Sequence, residues 1–296
     1  LKLIVIGASG FIGGALYKKA VREGFETFGT GFKNGGTDLI RFDMLKDDIK
    51  AVLPRNYTSK PASAMAVICS ANPLIEACKK NAEESYQLNV ISMKRLITCL
   101  TELKIKFCFL SSDNVYNGLN GYHDESEPPS PCNEYGLQKA EIENYILKSC
   151  PQGLIFRLSQ TVSDNVNEKQ LFAQWNEWCI TKKEIMCIKD NILSPTCVED
   201  IFAALVAAFS KKASGLYNCV NGEHFSREEL AHQFVRHLFF NAGIKITVKP
   251  ASEFCFADKR ALKTYLDNTK IVRELDIKFT SMKTVFRSIA SQKNIL

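Results

Sequence analysis

Tyr135 and Lys139 stand four residues apart near the start of a segment with helical patterning. Four residues is about one helical turn, so both side chains project from one face. A lysine ammonium beside a phenol favours the phenolate and draws the tyrosine pKa down from its usual value near ~10. That suits a proton donor or acceptor for a carbonyl/alcohol pair. The same two residue types also occur at this spacing on ordinary solvated helix faces. A hydroxyl, Ser112, ends the apolar run that precedes them, where open α/β folds place their ligands.

The chain opens on Leu3-Ile4-Val5-Ile6, a short apolar run of buried-parallel-strand type. It leads into Gly7-Ala8-Ser9-Gly10-Phe11-Ile12-Gly13 and then an amphipathic helix through Leu16, Ala20 and Val21. Glycines three apart permit a tight turn, close approach of a pyrophosphate and close helix packing, and the helix start offers free N–H groups. A second strand, 26–30, ends at Gly31-Phe32-Lys33. An acid here would select NAD, whereas a cation accommodates the extra phosphate of NADP. Gly31 takes the acid's place and Lys33 follows, which favours NADP(H) over NAD(H); a solvated turn lysine is the alternative. Further strands are expected around 39–42, 64–69, 107–112 and 154–159, with a helical stripe Val90, Met93, Ile97, Leu100. This alternation predicts an α/β fold with a doubly wound parallel sheet of the Rossmann type.

With 296 residues, 46% hydrophobic and 24% charged, the chain has enough apolar residues for a full core. No apolar run approaches the ~18 residues of a membrane span. No signal segment is evident at the start, so a cytoplasmic location is the default expectation. The formal charge of +6 is modest and spread over lysine pairs, which argues against nucleic acid as a partner. Eleven scattered cysteines form no Cys-x-x-Cys pair, so reduced thiols and no metal site are expected.

The Gly-x-x-Gly-x-x-Gly turn and Tyr-x-x-x-Lys, in that order, resemble the extended short-chain dehydrogenase/reductase superfamily. Ser111-Ser112-Asp113-Asn114-Val115-Tyr116-Asn117-Gly118, then the loop with Pro128, Pro129 and Pro131, then Tyr135-Gly136-Leu137-Gln138-Lys139 are similar to the dTDP-4-dehydrorhamnose reductases. The resemblance implies catalytic roles for Ser112, Tyr135 and Lys139. It implies cofactor contacts from Gly7, Ser9, Gly10, Phe11, Ile12, Gly13, Lys33, Asp43, Met44, Cys69, Ser70 and Ala71, besides Tyr135 and Lys139. A helix cap is the alternative for Asp43. Asn89 is the superfamily landmark that steadies the central strands. Substrate contacts are implied for Ser112, Asp113, Asn114, Tyr116, Gln160 and Arg260. Gln160 stands where these reductases carry Trp. Arg260 suits a nucleotide pyrophosphate, with a salt bridge as its alternative. Nucleotide-sugar dehydratases follow the hydroxyl with Asp-Glu; Asp113-Asn114 lacks the second acid, which argues against dehydration.

The implied activity is NADPH-dependent reduction of a 4-keto-6-deoxy nucleotide sugar, with a homodimer as a possible assembly. Residues 1–158 and about 196–220 would form the cofactor domain; 159–195 and 221–296 would form a smaller C-terminal α/β substrate lobe. Two other readings fit the resemblance: an epimerase of the same fold, and a non-catalytic subunit like the regulatory subunit of methionine adenosyltransferase.

Overall fold

The structure, a computed structural model, describes residues 1–32 and 38–292. Seven strands form one sheet: β1 (Lys2–Ile6), β2 (Glu26–Gly31), β3 (Ile40–Arg41), β4 (Ala64–Ile68), β5 (Lys106–Ser112), β6 (Leu154–Leu158) and β7 (Gly215–Asn218). Their order is β7-β6-β5-β4-β1-β2-β3, and every neighbouring pair is parallel. The order reverses between β1 and β4, which opens a crevice at the carboxyl ends of the strands. Ile6 is in register with Thr30 on one side and Ile68 on the other, so three strand ends finish level there.

Both faces of the sheet are covered, which explains why β1 and β4 read as near-continuous apolar runs. On one face, α1 (Phe11–Arg22) and α4 (Val198–Ser210) bury Leu16, Ala20, Ile201 and Leu205. On the other, α2 (Met93–Glu102) and α3 (Glu134–Ser149) bury Met93, Ile97, Leu100, Ile142 and Ile146. The residues leading into α2, Gln87–Ser92, are wound as a π-helix that carries Asn89. Such widened turns recur at functional sites.

A separate core of Phe172, Trp175, Phe234 and Phe286 builds the lobe. There Glu184–Ile188 pairs in parallel with Lys245–Lys249. Helix α5 (Arg227–Leu238) begins with a capping box formed by Ser226 and Glu229. One part of the expected lobe packs elsewhere. Helix α6 (Thr269–Leu275) buries Ile271 and Leu275 in the core of the sheet, and Lys270 Nζ donates to the Leu216 carbonyl at 2.7 Å. Its apolar side meets the edge strand β7, so residues 269–277 pack on the sheet.

Candidate active site

The first connection of the sheet is built for close approach. Gly7 has φ +93°, a backbone state that favours glycine, and a Cβ there would lie 2.6 Å from Ser70 Oγ. A Cβ on Gly13 would lie 2.2 Å from the Gly7 carbonyl oxygen, so α1 packs directly on the loop. Above Gly10 there is room, the nearest atom being 3.5 Å from a built Cβ. Gly10 caps α1 without a side-chain hydrogen bond, and no acid stands in the first turn. This uncapped N-terminus fits a dinucleotide pyrophosphate. Thr30, which the sequence reading overlooked, secures the loop: its Oγ1 accepts the Gly7 N–H at 3.2 Å and its carbonyl the Ala8 N–H at 2.7 Å.

The remaining expected cofactor residues are spread around this crevice. Ser9 and Gly10 are exposed at its mouth; Phe11, Ile12, Cys69, Ser70 and Ala71 are half-buried. Lys33 lies outside the described residues. Asp43 Oδ1 accepts the Leu45 N–H at 3.0 Å, so the carboxylate shapes its own turn. The Met44 side chain is buried in the core and its carbonyl accepts Arg95 Nη2, which leaves it no free side-chain surface toward a ligand.

Asn89 joins the cofactor turn to the catalytic helix. Its Oδ1 accepts the Asn72 N–H at 2.8 Å, and its Nδ2 donates to the Asn72 carbonyl at 3.0 Å and to Gln138 Oε1 at 2.7 Å. Gln138, inside the Tyr-x-x-x-Lys window, in turn donates to Ser85 Oγ at 2.8 Å. Asn133 caps α3 by accepting the Gly136 N–H at 2.8 Å. Gly136 is required for space, since a Cβ would fall 2.0 Å from the Asn114 carbonyl oxygen. The start of α3 therefore sits on the turn that follows β5, which brings Tyr135 to Ser112.

Ser112, at the end of β5, lies near the Tyr135 phenol. The phenol's pKa is raised, by burial first and by the Asp113 charge second, with the Ser112 hydroxyl opposing. This corrects the expectation that Lys139 draws it down. Lys139 is on the same helix face, but its Nζ donates to the Leu110 carbonyl at 2.7 Å and lies 4.5 Å from the Phe109 ring centre, against 5.7 Å for the Tyr135 ring. Burial lowers Lys139 itself to about 8, with the charge of Glu143 opposing.

Asp113 is buried and surrounded by donors. Ser112 Oγ donates to Oδ1 at 3.1 Å, Asn114 Nδ2 to Oδ1 at 2.9 Å and Ser159 Oγ to Oδ2 at 2.8 Å, with Thr264 a further partner. Burial raises its pKa while these hydrogen bonds oppose the rise. Its two oxygens are thereby spent on holding Ser112, Asn114 and the chain after β6. Asn114 and the half-buried Gln160 remain beside Ser112 and at the end of β6. Tyr116 does not: it is 1% exposed, and its hydroxyl donates to the Asp124 carbonyl at 2.9 Å and accepts Arg157 Nη1 at 2.6 Å. The expected substrate contact is replaced by a buried network in which Arg157 pairs with Glu143 at 2.6 Å and Ser111 Oγ donates to Glu143 at 2.6 Å. Arg260 is paired with Glu76 at 2.7 Å, the salt bridge that was its alternative.

The profile of the RmlD substrate binding domain family matches residues 1–294. Methionine adenosyltransferase 2 subunit beta of Danio rerio is 26% identical over 158 residues, 53% of this chain and 47% of that protein. The chain thus spans about half the length of the relatives of this kind it matches. The probable low-salt glycan biosynthesis reductase Agl14 of Haloferax volcanii is 22% identical over 221 residues, 72% of each chain. Among solved structures, a dTDP-4-dehydrorhamnose reductase of Clostridium acetobutylicum superposes with a TM-score of 0.84 at 20% identity, covering 99% of this chain and 100% of that one. The dTDP-4-dehydrorhamnose reductase of Bacillus anthracis, in complex with NADP, gives 0.81 at 20% identity over 100% and 99%. At these identities the likeness shows the fold, an α/β Rossmann-like sheet with a lobe. A match along essentially its whole length places the chain in the RmlD substrate binding domain family.

Proposed function

We propose that the chain is a nicotinamide-dependent reductase of a 4-keto-6-deoxy nucleotide sugar, with NADPH preferred over NADH. The observation that carries this reading is the placement of the Ser112 hydroxyl and the Tyr135 phenol near each other at the carboxyl edge of β5, in a sheet whose first turn is the close-packed glycine loop. Two hydroxyls converging at such an edge suit a carbonyl oxygen that gains a proton. The nicotinamide, when bound, supplies the hydride. On substrate binding, Ser112 turns its one proton from Asp113 to the carbonyl oxygen and fixes that oxygen's direction. Tyr135 delivers the proton to that oxygen as charge builds on it. The neutral phenol favoured by the surroundings is the form that can donate. Lys139 holds β5 through the Leu110 carbonyl and supplies positive charge within the site at neutral pH. Asp113 orients Ser112 from behind. Residues 1–158, about 196–220 and 269–277 act as the cofactor domain, and the remainder forms the substrate lobe.

The experiment is a titration with NADPH and NADH, followed by addition of dTDP-, UDP- and GDP-4-keto-6-deoxy sugars while nicotinamide absorbance is followed. Oxidation of NADPH by one sugar supports the reading and names the nucleotide. NADPH binding without turnover on any of them counts against it. The similarity to methionine adenosyltransferase subunits favours one second reading, a regulatory subunit, which would show instead as a stable complex with the synthetase.

A further inference from the structure

The Ser112 hydroxyl is held from far along the chain. Asp113 meets Ser112 and Asn114 through Oδ1, at 3.1 Å and 2.9 Å, and Ser159 through Oδ2, at 2.8 Å. Ser112 and Asn114 are the chain neighbours of Asp113 and turn with it. Ser159, just past the end of β6, is anchored to a different strand. Its contact fixes the rotation of the carboxylate, and with it the direction from which Ser112 is held.

Ser159 has one proton and gives it to Asp113, which leaves its oxygen to accept the Ser194 N–H at 3.3 Å. The adjoining residues repeat the connection, the Thr196 N–H donating to the Gln160 carbonyl at 2.9 Å. Ser194 is fully buried, and Pro195 after it restricts its backbone to the extended region. The Ser194 hydroxyl lies 2.9 Å from His224 Nδ1, and a hydroxyl satisfies either tautomer of a neutral imidazole. His224 packs its ring against Tyr265 and Tyr122, with centroids 4.9 Å and 5.6 Å away. It stands directly before Phe225–Ser226, which pairs antiparallel with Ile192–Leu193 and leads straight into α5.

An unbroken series of contacts thus runs from the lobe helix α5 through His224, Ser194 and Ser159 to Asp113 and Ser112. Its three side-chain links join residues 30, 35 and 46 positions apart, so none of them is a local turn contact. We propose that Ser159 and His224 are positioning residues, through which the placement of the lobe sets Asp113 and hence the reactive direction of Ser112. The proposal rests on the reductase reading and adds to it how the lobe reaches the reacting edge of the sheet. His224 fixes residue 194 by its side chain, residue 194 presents its N–H to Ser159, and Ser159 aims the carboxylate. Neither residue touches the reacting atoms.

Two readouts on the full chain test the link. The first is the side-chain carboxyl resonance of Asp113 in protein carrying carbon-13 at aspartate Cγ, identified by its loss in Asp113→Asn. It needs no turnover, and it should move in Ser159→Ala and in His224→Phe. The second is steady-state reduction of a 4-keto-6-deoxy nucleotide sugar. Ser159→Ala should lower kcat about ten-fold with KM unchanged, and Ser159→Thr, which keeps the hydroxyl, should restore most of the rate. His224→Phe keeps the ring packing and should lower kcat in the same direction by less. Combined with Ser159→Ala it should add nothing, because both act through one chain. Ser194→Ala/His224→Phe leaves no buried partner stranded; folded by circular dichroism yet slow, it separates loss of the link from loss of the fold.

Losses in kcat that simply add, or a Ser159→Ala variant that changes KM alone, overturn the proposal. Reduction of a sugar by a protein whose Asp113 resonance ignores His224→Phe overturns it and leaves the reductase standing. A resonance that moves in a protein that reduces none of the sugars supports the link and overturns the reductase reading. Neither turnover nor movement overturns both.

Discussion

Asn89 Nδ2 lies 2.7 Å from Gln138 Oε1, and through this contact a π-helical turn beneath the cofactor crevice is fastened to the helix that carries Tyr135 and Lys139. Asn89 also spans both backbone groups of Asn72, so one side chain sets the cofactor turn and the catalytic helix relative to each other. Replacing it strands buried partners on both sides. Asn89→Leu should cost about 1–3 kcal/mol of stability by urea unfolding and weaken dinucleotide binding in the same variant. Unchanged binding at reduced stability would limit Asn89 to a scaffold role.

Ser112 and Asp113 divide their work between substrate and support. Ser112→Ala should lower kcat by about 100-fold with little change in dinucleotide affinity, because it removes a donor aimed at developing charge. Asp113→Asn should act more broadly, since the carboxylate accepts from Ser112, Asn114 and Ser159 at once and an amide cannot accept from all of them. Thermal unfolding and steady-state rates, measured together, separate the two.

Space rather than chemistry fixes Gly136. Gly136→Ala forces a Cβ toward the Asn114 carbonyl, 2.0 Å away, so either α3 or the turn after β5 must shift. A loss of about 1–3 kcal/mol is expected, together with reduced turnover, as Tyr135 is the neighbouring residue. Stability equal to that of the parent protein would show that the contact relaxes freely.

Lys139 should leave a signature in the pH dependence of stability. Burial lowers its pKa from 10.5 to about 8, while the unfolded chain keeps the ordinary value. Between these values the unfolded state holds the extra proton, so the Lys139 contribution to stability rises with pH across the window. Urea midpoints at successive pH values for the parent and Lys139→Met should show this rise in their difference. A flat difference would place the lysine's titration elsewhere.

Much of this arrangement is legible in the amino-acid sequence itself. The strand-glycine-helix opening and the apolar runs at β1, β4, β5 and β6 declare a doubly wound sheet, because parallel strands buried on both faces leave no polar alternation to misread. The stripe from Val90 to Leu100 identifies the helix on the β5 side in the same way. What stayed hidden is what chain spacing does not encode. The direction of the Lys139 ammonium depends on the Leu110 carbonyl, and helical spacing alone suggested that it served Tyr135. Tyr116 belongs to the motif that carries Ser112, yet a buried arginine from β6 claims its hydroxyl. Thr30, Gln138 and Glu76 act through partners far along the chain, and only the sheet order brings those partners together. Helix α6 is likewise unreadable: its short apolar side is compatible with either core until β7 is in place.

The measurement closest to the central claim is transfer of deuterium from NADPH deuterated at the reactive C4 position of the nicotinamide to an accepted 4-keto-6-deoxy nucleotide sugar, followed by mass spectrometry and NMR of the product. One deuterium is expected at the sugar carbon that was the carbonyl, formed by the parent protein and lost in Tyr135→Phe, which still binds NADPH. Label at that carbon in both proteins at equal rates would contradict the role of Tyr135, and a chain that binds NADPH while leaving every such sugar unlabelled would contradict the reductase itself.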